Sequence, residues 1–452
     1  MLAKTLIFTA EIAESAEKGK GFGSFEFLIS ARSAISAVSI FSEGISLISK
    51  LDIEKAYLAI HDQVFRTPLV YSQKLSQLCG CQTLFKLENL QMTGSFKERG
   101  ALNKLLSLSV SDRARGVIAA SAGNHAQAVA YHCQRLRLRA KIIMPQGTPL
   151  IKVLSTQNYG AEVLLHGSTV DDASDLALEV SEKEGLVFIH PFRDPVVIAG
   201  QGTIGKELLQ EDLAKGVDAV VCPLGGGGLI SGIALYLKEA IPAIKIIGVQ
   251  ASNCPSMKQS LAEGRPVHLP SASSLADGIT IKRVEPLNFS LVQKYVDEVL
   301  TADEDQIANA ILLLLEMEKI VTEGAGAIPL AAILNRKSEF AGKKVISIIS
   351  GGNIDVNILG RIITRGLAAA GRVAQFTLRI RDLPGSLLAV LEIVKKMQIN
   401  ILDIMHHRLE SPAPFGFVDV SLTLETKGHA HIEEIKQKLN EAGYPPQICL
   451  PM

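Results

Sequence analysis

The stretch Gly116-Val117-Ile118-Ala119-Ala120-Ser121-Ala122-Gly123-Asn124-His125-Ala126 changes character midway. Its first five residues are small or aliphatic and suit a short buried strand. From Ala126 to Leu136 apolar residues recur at helical spacing. Ala140-Lys141-Ile142-Ile143-Met144 reads as the next strand, stopped by Pro145. Working outward, the same alternation predicts helices at 150–159, 172–184 and 229–240, and strands at 161–165, 187–189, 218–222 and 245–250. Strands separated by helices of about 10–15 residues form βαβ units. The expected class is therefore α/β, with parallel sheets covered by helices across residues 51–370. Ligands of such sheets bind beyond the carboxyl ends of strands, so chemistry is expected in the turns that follow them.

After Gly371 the rhythm changes. Residues 375–380 alternate like a strand, 386–397 have helical spacing, 399–408 and 417–424 look like strands, 432–442 like a helix and 447–450 like a last strand. This is βαββαβ, a ferredoxin-like unit over 371–452. Residues 1–50 form an extension to which no function is assigned: Glu11, Glu14 and Glu17 disfavour both a secretory signal and a transit peptide.

The 452 residues carry 46 basic and 46 acidic side chains, a balance that argues against a nucleic-acid coat. No apolar run reaches the roughly 18 residues of a membrane helix. Six cysteines are scattered without a CxxC pair, which fits neither a disulfide framework nor a zinc site. They are read as reduced, mostly buried thiols of a cytoplasmic protein.

Four segments carry chemistry. In Gly94-Ser95-Phe96-Lys97-Glu98 the local reading is a helix start, with Ser95 as N-cap and Glu98 completing a capping box. An amine at that place meets the positive end of the helix dipole, which favours its neutral, nucleophilic form. Lys97 is thus placed like a lysine that condenses with a carbonyl. Ser121-Ala122-Gly123-Asn124-His125 follows a strand and opens a helix with Asn124 as cap; its successive N–H groups suit a carboxylate. Gly225-Gly226-Gly227-Gly228 lies at another strand-to-helix turn, where four glycines allow the backbone to approach a phosphate closely. It lacks both the GxGxxG spacing of a dinucleotide site and the GxxxxGK[ST] of a nucleotide hydrolase. Ser350-Gly351-Gly352-Asn353 ends a further strand.

In this order on a parallel sheet, these motifs resemble the fold-type II pyridoxal-phosphate enzymes, most closely the threonine/serine dehydratases (threonine ammonia-lyases), over about residues 51–370. The resemblance implies that Lys97 carries pyridoxal 5'-phosphate covalently, Phe96 packs against its ring and Asn124 bonds the ring oxygen. It further implies that Gly225, Gly226, Gly227 and Gly228 hold the phosphate and Ser350 faces the pyridine nitrogen. Ser121, Ala122, Gly123, Asn124 and His125 would take the amino-acid substrate's carboxylate. The implied reaction is dehydration followed by hydrolytic release of ammonia, taking L-threonine to 2-oxobutanoate and L-serine to pyruvate. Serine racemases of the family carry a serine where this chain has Ala122, which disfavours that rival. Relatives that hold a divalent cation use an acidic residue where Gln250 stands, so no metal is implied. β-Replacement, which needs a second-substrate site, and a catalytically silent amino-acid sensor are the remaining alternatives.

The segment Asp382-Leu383-Pro384-Gly385-Ser386 reads locally as a turn launching a helix. With the βαββαβ order it resembles an ACT regulatory domain, which implies an amino-acid effector near that loop and a homo-oligomer. Asp277 and Glu323 are candidates for lining the substrate pocket. His61, His132, His166 and His190 are expected at surface or cap positions, and His406-His407 straddle a strand.

Overall fold

The computed structural model describes residues 48–408 and 412–450. All but the last three residues of the 1–50 extension therefore fall outside the described residues, as does the side chain of Cys449. From Ser49 onward the chain forms one compact unit.

The strands before Gly371 are shared between two sheets. The larger has six strands in the order β1-β2-β10-β7-β8-β9: Leu69–Tyr71, Gln82–Leu87, Lys344–Ile349, Ala219–Pro223, Lys245–Ala251 and Glu298–Ala302. All its pairings are parallel except the edge pair β1–β2. The smaller is wholly parallel, with the order β5-β4-β3-β6: Glu162–Leu165, Ala140–Met144, Val117–Ala120 and Val187–Phe188. Central strands β3, β4 and β7 are buried at every position, as their largely apolar runs require when helices cover both faces; Lys141 in β4 is accommodated by its ion pair with Glu184. Separate apolar cores lie on the two faces of the larger sheet, one around Phe85, Val221 and Ile349, the other around Val220, Ile346 and Ile348.

The third sheet is antiparallel, in the order β12-β13-β11-β14: Ile401–His407, Phe417–Glu425, Val373–Arg381 and Pro446–Leu450. Helices Ser386–Lys396 and His429–Glu441 complete the βαββαβ order and bury Val390, Val394, Ile435 and Leu439 in one core with Phe376 and Leu422. Residues Asp382 to Gly385 form an exposed turn between β11 and the first of these helices, with Gly385 at φ 87° as its cap. Asp382 accepts a hydrogen bond from Arg408 at 2.7 Å.

Two helices meet at unusually short range. A Cβ on Gly100 of helix Lys97–Leu106 would lie 2.7 Å from the Val197 carbonyl of helix Pro195–Leu209, and one on Gly200 would lie 2.6 Å from the Arg99 carbonyl. Only glycine permits that approach, and it seats the helix bearing Lys97. Among the described residues no helix is long and apolar enough to cross a membrane. No group of three or more His, Cys, Asp or Glu is gathered there as for a metal; Gln250 is buried, accepting from the Lys258 N–H at 2.9 Å.

Candidate active site

Lys97 is the first residue of its helix, and the turn before it is sewn to the end of β10. The Phe96 N–H donates to the Ser350 carbonyl at 3.0 Å, the Gly352 N–H donates to the Gly94 carbonyl at 2.9 Å, and Ser95 bridges Gly351. This pairing corrects the capping box. Ser95 is held one residue too early, Phe96 takes the cap position without a side-chain bond, and the Ser95 hydroxyl has no partner. The Glu98 carboxylate instead accepts from the Thr93 N–H. At the second turn, likewise, Gly123 is the cap and Asn124 the first helical residue.

Lys97 Nζ donates to the Pro191 carbonyl at 2.9 Å and lies 5.2 Å from the centre of the Phe96 ring. Burial pulls its pKa down to about 8, against the opposing pull of the Glu323 carboxylate. A lysine with this environment is a usable nucleophile and base near neutrality. Phe192, next to Pro191, packs on the glycine turn: a Cβ on Gly226 would fall 2.4 Å from its ring, and one on Gly228 2.9 Å from its Cβ. Gly227 is left-handed at φ 89° and caps helix Gly228–Ala240. The first-turn N–H groups of that helix have no acceptor within it and are available to an anion. Part of the glycine requirement thus comes from Phe192, a neighbour that local sequence does not reveal.

One cleft of about 1110 Å³ has Lys97, Asn124, the four glycines, Glu323 and Ser350 in its walls. Ser121, Ala122, Gly123 and His125 line it as well, and nothing occupies the space a Cβ on Gly123 would take. Across its mouth Lys152 pairs with Asp277 at 2.9 Å and Lys282 with Asp171 at 3.0 Å. Asp277 and Glu323 therefore both belong to the cleft. Glu323 is buried beneath Asn124, whose Nδ2 donates to its two oxygens at 2.8 and 3.1 Å. Burial, reinforced by Asp277, raises its pKa to about 7.

Sequence reading missed the support beneath the site. Arg99, Glu88, Glu207 and Lys86 are fully or almost fully buried and mutually paired. The Arg99 guanidinium donates to both carboxylates at 2.6–2.9 Å, and Lys86 Nζ donates to Glu207 and to the Thr67 carbonyl at 2.6 Å. The only hint was Lys86 between the apolar Phe85 and Leu87 of strand β2.

His132 corrects another expectation: it is fully buried, 3.6 Å from Glu98, not at the surface. Burial holds the pKa of His125 and of His132 at about 3. An unfolded histidine takes a proton near 6.5, so the unfolded chain binds more protons than the folded one between these values. Their stabilising contribution is full above 6.5 and is lost as pH falls toward 3; Glu323, with its raised pKa, acts in the opposite sense. In His132→Gln the drop in urea midpoint between pH 7 and pH 5 is expected to be smaller than in wild type. Equal drops would contradict this assignment.

Residues 60–351 match the family model described as "Pyridoxal-phosphate dependent enzyme". The chain belongs to the pyridoxal-phosphate dependent enzyme family. It is 49% identical to the L-threonine ammonia-lyase of Thermotoga maritima over 402 residues, 89% of this chain and all of that protein. The processed threonine deaminase isoform 2 of Solanum lycopersicum superposes with a TM-score of 0.66 at 40% identity, covering 69% of this chain and 86% of the other. The serine racemase of Dictyostelium discoideum gives 0.64 at 34% identity, covering 69% and 100%. The fold is that of the fold-type II enzymes, and the family's cofactor is pyridoxal phosphate.

The residues of this pyridoxal-phosphate enzyme fit that group chemically. A half-buried amine with a depressed pKa, a hydroxyl at a strand end and a row of glycine N–H groups at a helix start face one cleft. They supply, respectively, the partner for an aldehyde, a neutral partner for a pyridine nitrogen and donors for a phosphate.

Proposed function

We propose that this chain is an L-threonine ammonia-lyase, converting L-threonine to 2-oxobutanoate and ammonia, and L-serine to pyruvate and ammonia. What supports the reading is the gathering of Lys97, the Ser121–His125 turn, the glycine turn and Ser350 on one cleft, in a chain whose relatives carry that name.

In this reading Lys97 holds the cofactor between turnovers, Gly225 to Gly228 grip its phosphate, and Phe96 and Asn124 fix its ring. When bound, pyridoxal phosphate supplies the electron sink for the pair left at the substrate's Cα. N–H groups at the start of helix Asn124–Leu136 hold the substrate carboxylate. Lys97 Nζ, once free, takes the Cα proton, and burial keeps it sufficiently neutral to do so. The Ser350 hydroxyl does not hold a positive charge on the ring nitrogen, which favours prompt loss of the β-hydroxyl over transamination. Ala122 offers no second acid on the opposite face, so racemisation lacks its proton donor.

The test is 2-oxo acid release from L-threonine and L-serine by purified protein with added cofactor. Keto acid from L-threonine is expected; its absence alongside D-serine formation would reassign the chain to the racemases. Gly226→Ala drives a methyl into Phe192, a strain of about 1–3 kcal/mol. Cofactor affinity, followed by titrating the apoprotein, is expected to fall at least about tenfold.

The reading continues with a catalytic domain over 51–370 and an ACT-type regulatory domain over 371–452, in a cytoplasmic homo-oligomer. An amino-acid effector would bind near Asp382, Leu383, Pro384, Gly385 and Ser386. The catabolic L-threonine dehydratase of Escherichia coli aligns with 69% of this chain over 94% of its own length, which supports a core able to stand alone. Removing residues 372–452 is expected to abolish any response to isoleucine or valine while keeping turnover. An unchanged response would assign the C-terminal unit another role.

A further inference from the structure

Three side chains and a carbonyl form a chain of hydrogen bonds that crosses the floor of the cleft. Asn353 Nδ2 has two hydrogens, and both are spent: one goes to the Thr93 carbonyl at 2.7 Å, the other to Asn124 Oδ1 at 2.7 Å. A carbonyl only accepts, so Asn353 must turn its nitrogen toward Thr93. That orientation forces Asn124 to present its oxygen to Asn353 and its nitrogen to the opposite side. There Glu323 receives it at 2.8 and 3.1 Å. The Asn353 oxygen is packed on the other flank, where a Cβ on Gly94 would lie 2.5 Å from it. The turn that leads to Lys97 and the buried carboxyl thus clamp one amide from both ends.

We infer that Glu323 is a positioning residue which, together with Asn353, locks the Asn124 amide so that it offers the cleft a donor and no acceptor. With its oxygen committed to Asn353 and one N–H shared between the two oxygens of the Glu323 carboxylate, Asn124 keeps its other N–H for a ligand. Such a group recognises an oxygen that accepts, and it selects the deprotonated form of a ring hydroxyl over the protonated one. The inference deepens the reading given above, since it takes Asn124 as the partner of the cofactor's ring oxygen. Without Glu323 the amide is held at one end only, and a protonated ring oxygen becomes tolerable.

The experiment compares Glu323→Ala, Glu323→Gln and wild type as holoproteins, reading first the visible and near-ultraviolet absorption bands of the bound cofactor and then kcat and KM. A glutamine side chain at this position can still accept from Asn124, so Glu323→Gln is expected to keep the wild-type band ratio and kcat within about threefold. Glu323→Ala is expected to shift absorbance toward the protonated-ring form and lower kcat at least about tenfold, an effect of the size of one lost positioning bond. Wild-type bands in Glu323→Ala would overturn the inference. So would Glu323→Gln falling as far as Glu323→Ala, because charge and not orientation would then be the carboxyl's role. Should Glu323→Ala not fold, Asn353→Ala releases the same amide from its other end and must give the same spectral shift. The bands need no turnover, so failure of the lyase assay leaves this test readable.

Discussion

Lys97→Ala is expected to lower 2-oxo acid release from L-threonine by at least about 10²–10⁴-fold, the range supplied by a positioned proton-transfer group alone. The same variant loses the covalent hold on the cofactor, so the visible band of the holoprotein should vanish even when cofactor is in excess. Lys97 is half-buried, donates among the described residues to the Pro191 carbonyl, and has its pKa drawn down to about 8. Among the described residues lining the cleft, Lys152 and Lys282 are engaged in ion pairs at its mouth. Neither is a ready substitute for the amine, which is why the loss should be large. Retained turnover in Lys97→Ala would mean that the cleft works by other chemistry altogether.

The second large effect concerns stability. Arg99 sits two residues after Lys97, fully buried, and its guanidinium divides its donors among Glu88, Glu207 and Thr203. Arg99→Met preserves much of the volume but leaves two carboxylates with Lys86 as their remaining buried cation. Removing one partner of a buried ionic network typically costs about 3–5 kcal/mol. Urea unfolding of the apoprotein should show a loss of that order, and cofactor binding should weaken with it because helix Lys97–Leu106 loses its anchor. A loss under about 1 kcal/mol would show the network to be dispensable. The double variant Arg99→Met with Glu207→Gln should recover part of the loss, since it removes an orphaned charge along with its partner.

How far these residues could be read from sequence depends on whether their role is local. Strands β3, β4, β5, β7 and β8 announce themselves because each has a short aliphatic or β-branched stretch bounded by turn residues. Strands β1, β2 and β9 went unread: β1 has three residues, and β2 carries Lys86, which reads as solvent-facing until its buried partners are known. The turn bearing Lys97 was legible as a helix start, and those bearing Asn124, Gly225–Gly228 and Ser350 because each follows a strand and opens a helix or a loop. The clamp of Asn353 and Glu323 on Asn124 was not, since Glu323 and Asn353 lie 199 and 229 positions from Asn124 in the chain.

By itself the sequence determined the α/β alternation and the βαββαβ tail, since these follow from local periodicity, and the order of its motifs singled out Lys97 as the proposed amine. Tertiary structure alone decided how the strands divide between two sheets, that Ser95 bridges Gly351 instead of capping, and that Phe192 and Glu323 close on the glycine turn and on Asn124. The physical reason is one of range. Periodicity and turn preference act between neighbours a few bonds apart, whereas burial, charge pairing and steric contact act between whichever residues packing brings within a few ångströms.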